Sequence, residues 1–194
     1  MYLFIDTETT GFPQKFGPLI QDGQGRVCQI AMLLTDEDGK SIAEISTLVK
    51  PAGWVVGDEA AKVHGFTTAL CEKYGINFVG MVGLFLALAD KAETIVAHNI
   101  CFDRQMMFIE AEYAQKNIPN KLWHCTMEQS APICNLPPTE RMLAAGFDKP
   151  KAPKLEEALQ HICGKSLGDT AHDALWDVRA CKDIFFKLKE GIQS

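Results

Sequence analysis

No apolar stretch in the 194 residues approaches the roughly 18 needed to span a membrane, so a helical membrane protein is not expected. No basic segment precedes "YLFID" at the amino terminus, which leaves no secretory signal peptide to expect and makes the cytoplasm the expected compartment. There is no C-x-x-C pair among the seven cysteines (Cys28, Cys71, Cys101, Cys125, Cys134, Cys163, Cys181). That argues against a structural zinc site, and an odd, scattered set of thiols reads as small buried side chains in a reducing compartment. Net positive charge is also missing: at −6, the chain cannot coat nucleic acid by bulk attraction, so any phosphate partner must be held locally. Internal repeats and low-complexity tracts are absent as well. What remains, 47% hydrophobic and 23% charged residues, is the composition of an ordinary globular protein, expected as a single domain over 1–194.

Strands are expected at "YLFID", at 26–35 and at 41–49, the last two joined by a turn containing Asp38-Gly39. Two short helices, 58–65 and 68–75, each end on a glycine, and a longer apolar helix covers 78–91. A buried strand at 94–99, a helix at 101–115 and a strand at 121–126 follow. From 132 to 153 five prolines suggest loops around one short helix near "TERMLAAG", before closing helices at 154–162 and 173–190. Three strands followed by alternating strands and helices imply an α/β fold. Its expected core is a mixed five-stranded sheet with the first three strands antiparallel, flanked by helices.

Chemistry enters at "FIDTETTG", residues 4–11. If the first strand continues through it, Asp6 and Glu8 point to the same face, and two adjacent like charges are costly without a cation or a shared proton. In the last helix Asp177 falls on the apolar stripe of Ala174, Val178, Cys181, Phe185 and Leu188, an expensive position for an unpaired carboxylate. His172, five residues earlier, lies about 140° away around a helix and can reach that side only from a loop or the first turn. Asp103 opens the helix after the fourth strand. Acids are common there, but its segment and residues 6–8 both sit at carboxyl ends of strands, where ligands of open α/β sheets collect. Four oxygen donors without thiolates suit Mg²⁺ or Mn²⁺. Two such ions about 4 Å apart can activate water and stabilise a leaving oxygen in phosphoryl displacement, with a neutral imidazole taking the proton.

These residues, in this order, resemble the DEDDh family of 3′–5′ exonucleases, the group that includes the proofreading subunit of bacterial replicative polymerases. The three motifs are "FIDTETTG", "AHNICFD" and "HDALWD". A histidine at 172 rather than a tyrosine at 173 marks the histidine subtype. "AAKVHGFT" (60–67) and a "KLEEAL" helix are also typical of the family, and the likeness runs from residue 3 to about 185. It implies a ribonuclease H-like fold and release of nucleoside 5′-monophosphates from a 3′ end. By similarity Asp6, Glu8, Asp103 and Asp177 would hold two ions and His172 would be the general base. Thr9, His64, Asn99 and Phe102 would touch the last nucleotide, Phe102 by stacking. His98 would be a structural hydrogen-bonder.

The segment 12–26 is longer than the usual family connection, either a substrate guide or an inert loop. Lys149, Lys151 and Lys154 are expected to meet the substrate backbone. An EF-hand starting at Asp6 fails because its twelfth position is Gly17, and no nucleophile motif supports a cysteine hydrolase. Single-stranded DNA ends are the favoured substrate. RNA trimming and a catalytically silent nucleic-acid-binding module are the alternatives, though the silent module would be expected to have lost a carboxylate. Docking to a polymerase and self-association are both open.

Overall fold

The computed structural model describes residues 1–166 and 173–192. The "YLFIDTET" run forms strand β1 (Tyr2–Thr9), central in a five-stranded sheet with β2 (Val27–Thr35), β3 (Ser41–Leu48), β4 (Thr94–Ala97) and β5 (Leu122–Cys125). Strand order is β3-β2-β1-β4-β5. The first three strands are antiparallel, as expected of this mixed sheet, while β4 pairs parallel with β1 and β5 parallel with β4.

The run Leu3-Phe4-Ile5 has no polar alternation because both of its faces are covered. Leu3 and Ile5 join Ile30, Met32 and Ile95 beneath helices α3 (Phe78–Lys91) and α4 (Ile100–Tyr113). Phe4 points the other way, to Ala174, Val178, Cys181 and Phe185 of helix α8 (Ala174–Ile192). Period-two alternation therefore sends Asp6 and Glu8 to the α8 layer and Thr7 to the α4 layer. The same alternation puts both carboxylates just past the apolar part of the strand.

Short helices α1 (Asp58–His64) and α2 (Thr68–Tyr74) follow β3, ending at Gly65 and Gly75 as the sequence suggests. Helix α5 (Thr126–Cys134) runs past Pro132, where the prolines suggest loops, and takes up residues 126–131, for which the sequence gives no element. Proline lacks an N–H and is disfavoured inside a helix. Here it sits in the last turn, where Cys134 packs with Ala158 and Leu159 of α7 (Leu155–Cys163) and Ala180 of α8. Tertiary burial outweighs the lost bond. Helix α6 (Glu140–Ala144) is the short helix expected in "TERMLAAG". The expectation that every cysteine is buried needs correcting: Cys101 is exposed and Cys163 half-buried, while all seven are free thiols. No helix among the described residues is long and apolar enough to cross a membrane.

The long 12–26 segment is anchored at its base. Thr10 N–H donates to the Arg26 carbonyl and Arg26 N–H to Thr10 Oγ1. The Arg26 guanidinium makes two 2.9 Å bonds to the fully buried Glu110 carboxylate, which also accepts Val27 N–H at 2.9 Å. The ring of Tyr113 lies 3.9 Å below the guanidinium. Removing one partner of a buried pair strands the other charge. Arg26→Met is expected to lower unfolding free energy by about 3–5 kcal/mol in urea titration, and an unchanged midpoint would rule out this anchoring role.

Candidate active site

Helix α8 presents Ala174, Val178 and Cys181 to the sheet, and Asp177 lies on that same stripe beside the carboxyl end of β1. One carboxylate oxygen each from Asp6, Glu8 and Asp177 lie within 4.8 Å of one another. Asp177 Oδ1 is shielded from solvent. Asp103 reaches the strand end from the opposite layer. It is 3% exposed, and Thr7 Oγ1 donates to its Oδ1 at 2.8 Å. The four acids therefore meet as a trio plus one, with Thr7 between the trio's first two residues fixing the fourth.

Burial is the main cost of charge here. It pushes the Asp6 carboxyl well above the ordinary range, and the neighbouring charges of Asp103, Asp177 and Glu8 push it further. Glu8 is raised to about 7, first by desolvation and then by Asp177, Asp103 and Asp173. Asp103 is also raised to about 7 by burial, against the stabilising bond from Thr7. Clustered hard oxygen donors whose charges repel are what a divalent cation would stabilise, and its binding would displace the protons they otherwise retain.

Beside Glu8 opens a cleft of about 180 Å³ lined by Thr9, Phe12, Ala60, Val63, His64 and Phe102. Of the expected substrate contacts, Thr9, His64 and Phe102 line it. His64 Nδ1 accepts the Phe66 N–H at 3.1 Å, which leaves the proton on Nε2, 3.3 Å from the Thr9 carbonyl. Asn99 does not line it. It is exposed, with φ 75°, a left-handed conformation asparagine tolerates, and it turns the chain from β4 into α4. His98 bridges Thr126 Oγ1 and the Pro153 carbonyl, each at 3.0 Å, and burial lowers its pKa. His172 lies outside the described residues. Lys151 is engaged by Glu157 at 2.5 Å, leaving Lys149 exposed on its loop.

Sequence reasoning missed Thr7 and Phe12. Thr7 was legible as the odd-numbered residue inside the D-x-E motif, facing the other layer. Phe12, 83% exposed, meets the Phe102 ring edge-on at 6.0 Å; its only signal was an aromatic directly after the motif's glycine.

Because the folded chain holds the Glu8 proton more tightly than an unfolded chain does, this group favours folding below about pH 4.5, and the advantage is lost as pH rises through about 7. In EDTA, Glu8→Gln is expected to melt several degrees above the parent at pH 8, with the gap closing by pH 5. A variant that melts lower at pH 8 would contradict the stored repulsion.

The family model described as exonuclease, RNase T, matches residues 3–185. No curated protein matches the chain in sequence. Among solved structures, E. coli exonuclease I in complex with a dA16 oligonucleotide superposes with a TM-score of 0.74 at 20% identity, over 98% of this chain and 40% of that one. The same enzyme with a 5cy-dT13 oligonucleotide gives 0.75 at 19%, over 97% and 40%. At such identity the likeness is one of fold, and the chain spans about two fifths of those proteins' length. The shared fold is the ribonuclease H-like one, and with the family model covering nearly its whole length, the chain belongs to the RNase T-type exonuclease family.

Proposed function

We propose that residues 1–194 act as one exonuclease domain that hydrolyses phosphodiester bonds from the 3′ end of single-stranded DNA, releasing nucleoside 5′-monophosphates. The observation that carries this reading is the trio Asp6, Glu8 and Asp177, drawn within 4.8 Å of one another from opposite ends of the chain beside an apolar cleft. Membership of the exonuclease family supports it, as does the likeness to an enzyme crystallised with DNA oligonucleotides. The cytoplasm is the proposed compartment.

In this reading Asp6, Glu8 and Asp177, with Asp103 from the other layer, hold two Mg²⁺ or Mn²⁺ ions. Bound there, the ions supply an activated water and charge stabilisation for the departing 3′ oxygen. The chain's own residues do the rest. Thr7 holds Asp103 in place through its 2.8 Å bond. Phe102 and Phe12 offer ring faces to the terminal base, and base–aromatic stacking tolerates any base. His64, fixed by Phe66 and Thr9, forms a neutral wall of the cleft. His172 takes the proton from the attacking water, which requires its neutral form.

The test is release of label from 3′-end-labelled single-stranded DNA and RNA in Mg²⁺, Mn²⁺ or EDTA. Mononucleotide release from DNA, dependent on metal and absent in Asp6→Ala, is expected; no release with either metal would overturn the proposal, and faster release from RNA would reassign the substrate. Activity is expected to rise as pH passes about 6.5. His172→Ala is expected to lose about 10²–10⁴-fold in rate while still binding Mn²⁺ in calorimetry, and near-normal turnover would remove its role.

A further inference from the structure

Helix α4 has two faces of different character. Met106, Met107, Ile109 and Ala111 are buried in the core with Ile95, whereas Cys101, Arg104, Gln105, Phe108 and Glu112 recur at spacings of three and four and form one outward stripe of exposed and half-buried side chains. Along that stripe runs an open groove of about 390 Å³, lined by Leu19, Cys101, Arg104, Gln105 and Phe108. It shares no residue with the cleft beside Glu8. Leu19 comes from the long 12–26 segment, which holds itself by glutamine bonds: Gln24 Nε2 donates to the Leu19 carbonyl at 3.0 Å, Gln14 N–H to Gln24 Oε1 at 2.7 Å, and Gln14 Nε2 to the Gly23 carbonyl at 2.9 Å. Phe108 is backed by Trp123 of β5, their ring centroids 6.2 Å apart.

The charges on the stripe are arranged symmetrically. The Arg104 guanidinium lies over aromatic rings, 5.6 Å from the Phe108 centroid and 5.5 Å from that of Trp123. Arginines pair with carboxylates elsewhere among the described residues, as Arg26 with Glu110 and Arg179 with Glu44, but Arg104 has no such partner. Glu112, exposed, likewise meets no cation among the described residues. The two cannot pair with each other, because eight residues of helix hold them about 12 Å apart. Phe108 stands midway, four residues from each.

We infer that the groove receives α4 of a second copy of this chain, the two helices running antiparallel about a two-fold axis at Phe108. Such an axis exchanges positions equidistant from residue 108, so Arg104 of each copy meets Glu112 of the other, and the two Phe108 rings meet at the centre. A shift of one turn either way leaves both charges without a partner, and a parallel pairing sets like charges together. Antiparallel helices also oppose their dipoles. The pairing leaves the cleft beside Glu8 open in both copies and does not depend on the proposed activity.

The experiment is sedimentation velocity of the full chain over a concentration series, at low and high NaCl, for the parent, Arg104→Glu, Glu112→Arg and the double variant. The parent is expected to shift from monomer to dimer as concentration rises, less readily at high salt. Each single reversal places like charges together twice per dimer and is expected to raise the dimer Kd at least about tenfold, while the double variant returns it close to the parent value. Thermal melts of dilute protein are expected to coincide, since both side chains are exposed. A parent that is monomeric at every concentration would overturn the inference and leave the groove to a helix of another protein. A dimer that neither reversal weakens would place the interface on another face, and a folded double variant as weak as the singles would refute the antiparallel pairing.

Discussion

Mutual repulsion among carboxylates, held in place by the pleat of β1, is the constraint around which the molecule is organised. Asp6 and Glu8 cannot turn away from each other, because strand geometry sends both to the α8 layer and antiparallel pairing with β2 fixes the register through that stretch. Holding them needs a strand anchored on both faces. Leu3, Phe4 and Ile5, together with the fully buried β2, provide that anchor by committing one apolar set to each layer. The carboxyl end of this central strand can then tolerate a locally unfavourable cluster because the rest of the strand cannot slip.

The buried Arg26–Glu110 pair serves the same arrangement from the other side. It ties the start of β2 to α4, the helix that carries Asp103, and fixes the root of the 12–26 segment. One charged pair thus locates both the fourth carboxylate and the base of the long loop. Phe12 lines the cleft beside Glu8 and meets Phe102, so the first residues after the D-x-E-T-T-G run join the acidic floor to the long loop.

Much of this was legible in the sequence because periodicity encodes it. The period of two in "FIDTET" put Asp6 and Glu8 on one face, and the period of 3.6 in α8 put Asp177 among core residues. The antiparallel run of the first three strands followed from three strands before the first long helix, whereas the strand order did not. The division of labour between layers was less legible: that Asp103 comes from the α4 side depends on the parallel pairing of β1 with β4, which no local pattern states. Helix α5 was hidden by Pro132, whose local penalty is outweighed only by contacts with α7 and α8. The engagement of Lys151 by Glu157 was equally hidden, since a lysine's sequence neighbours do not show which carboxylate it will meet after folding. The inner architecture of the 12–26 segment rests on glutamine-to-backbone bonds, which have no periodic signature at all.

Asp103 and Asp177 belong to helices that pack on opposite sides of one sheet. An ion shared by their oxygens, as proposed, would act as a rivet through a three-layer sandwich, joining two hydrophobic cores that lie on opposite faces of the sheet. Breathing of the layers at that end would be suppressed once the rivet is in place. The protein's slow opening motions and its readiness to work would then be governed by the same few ångströms.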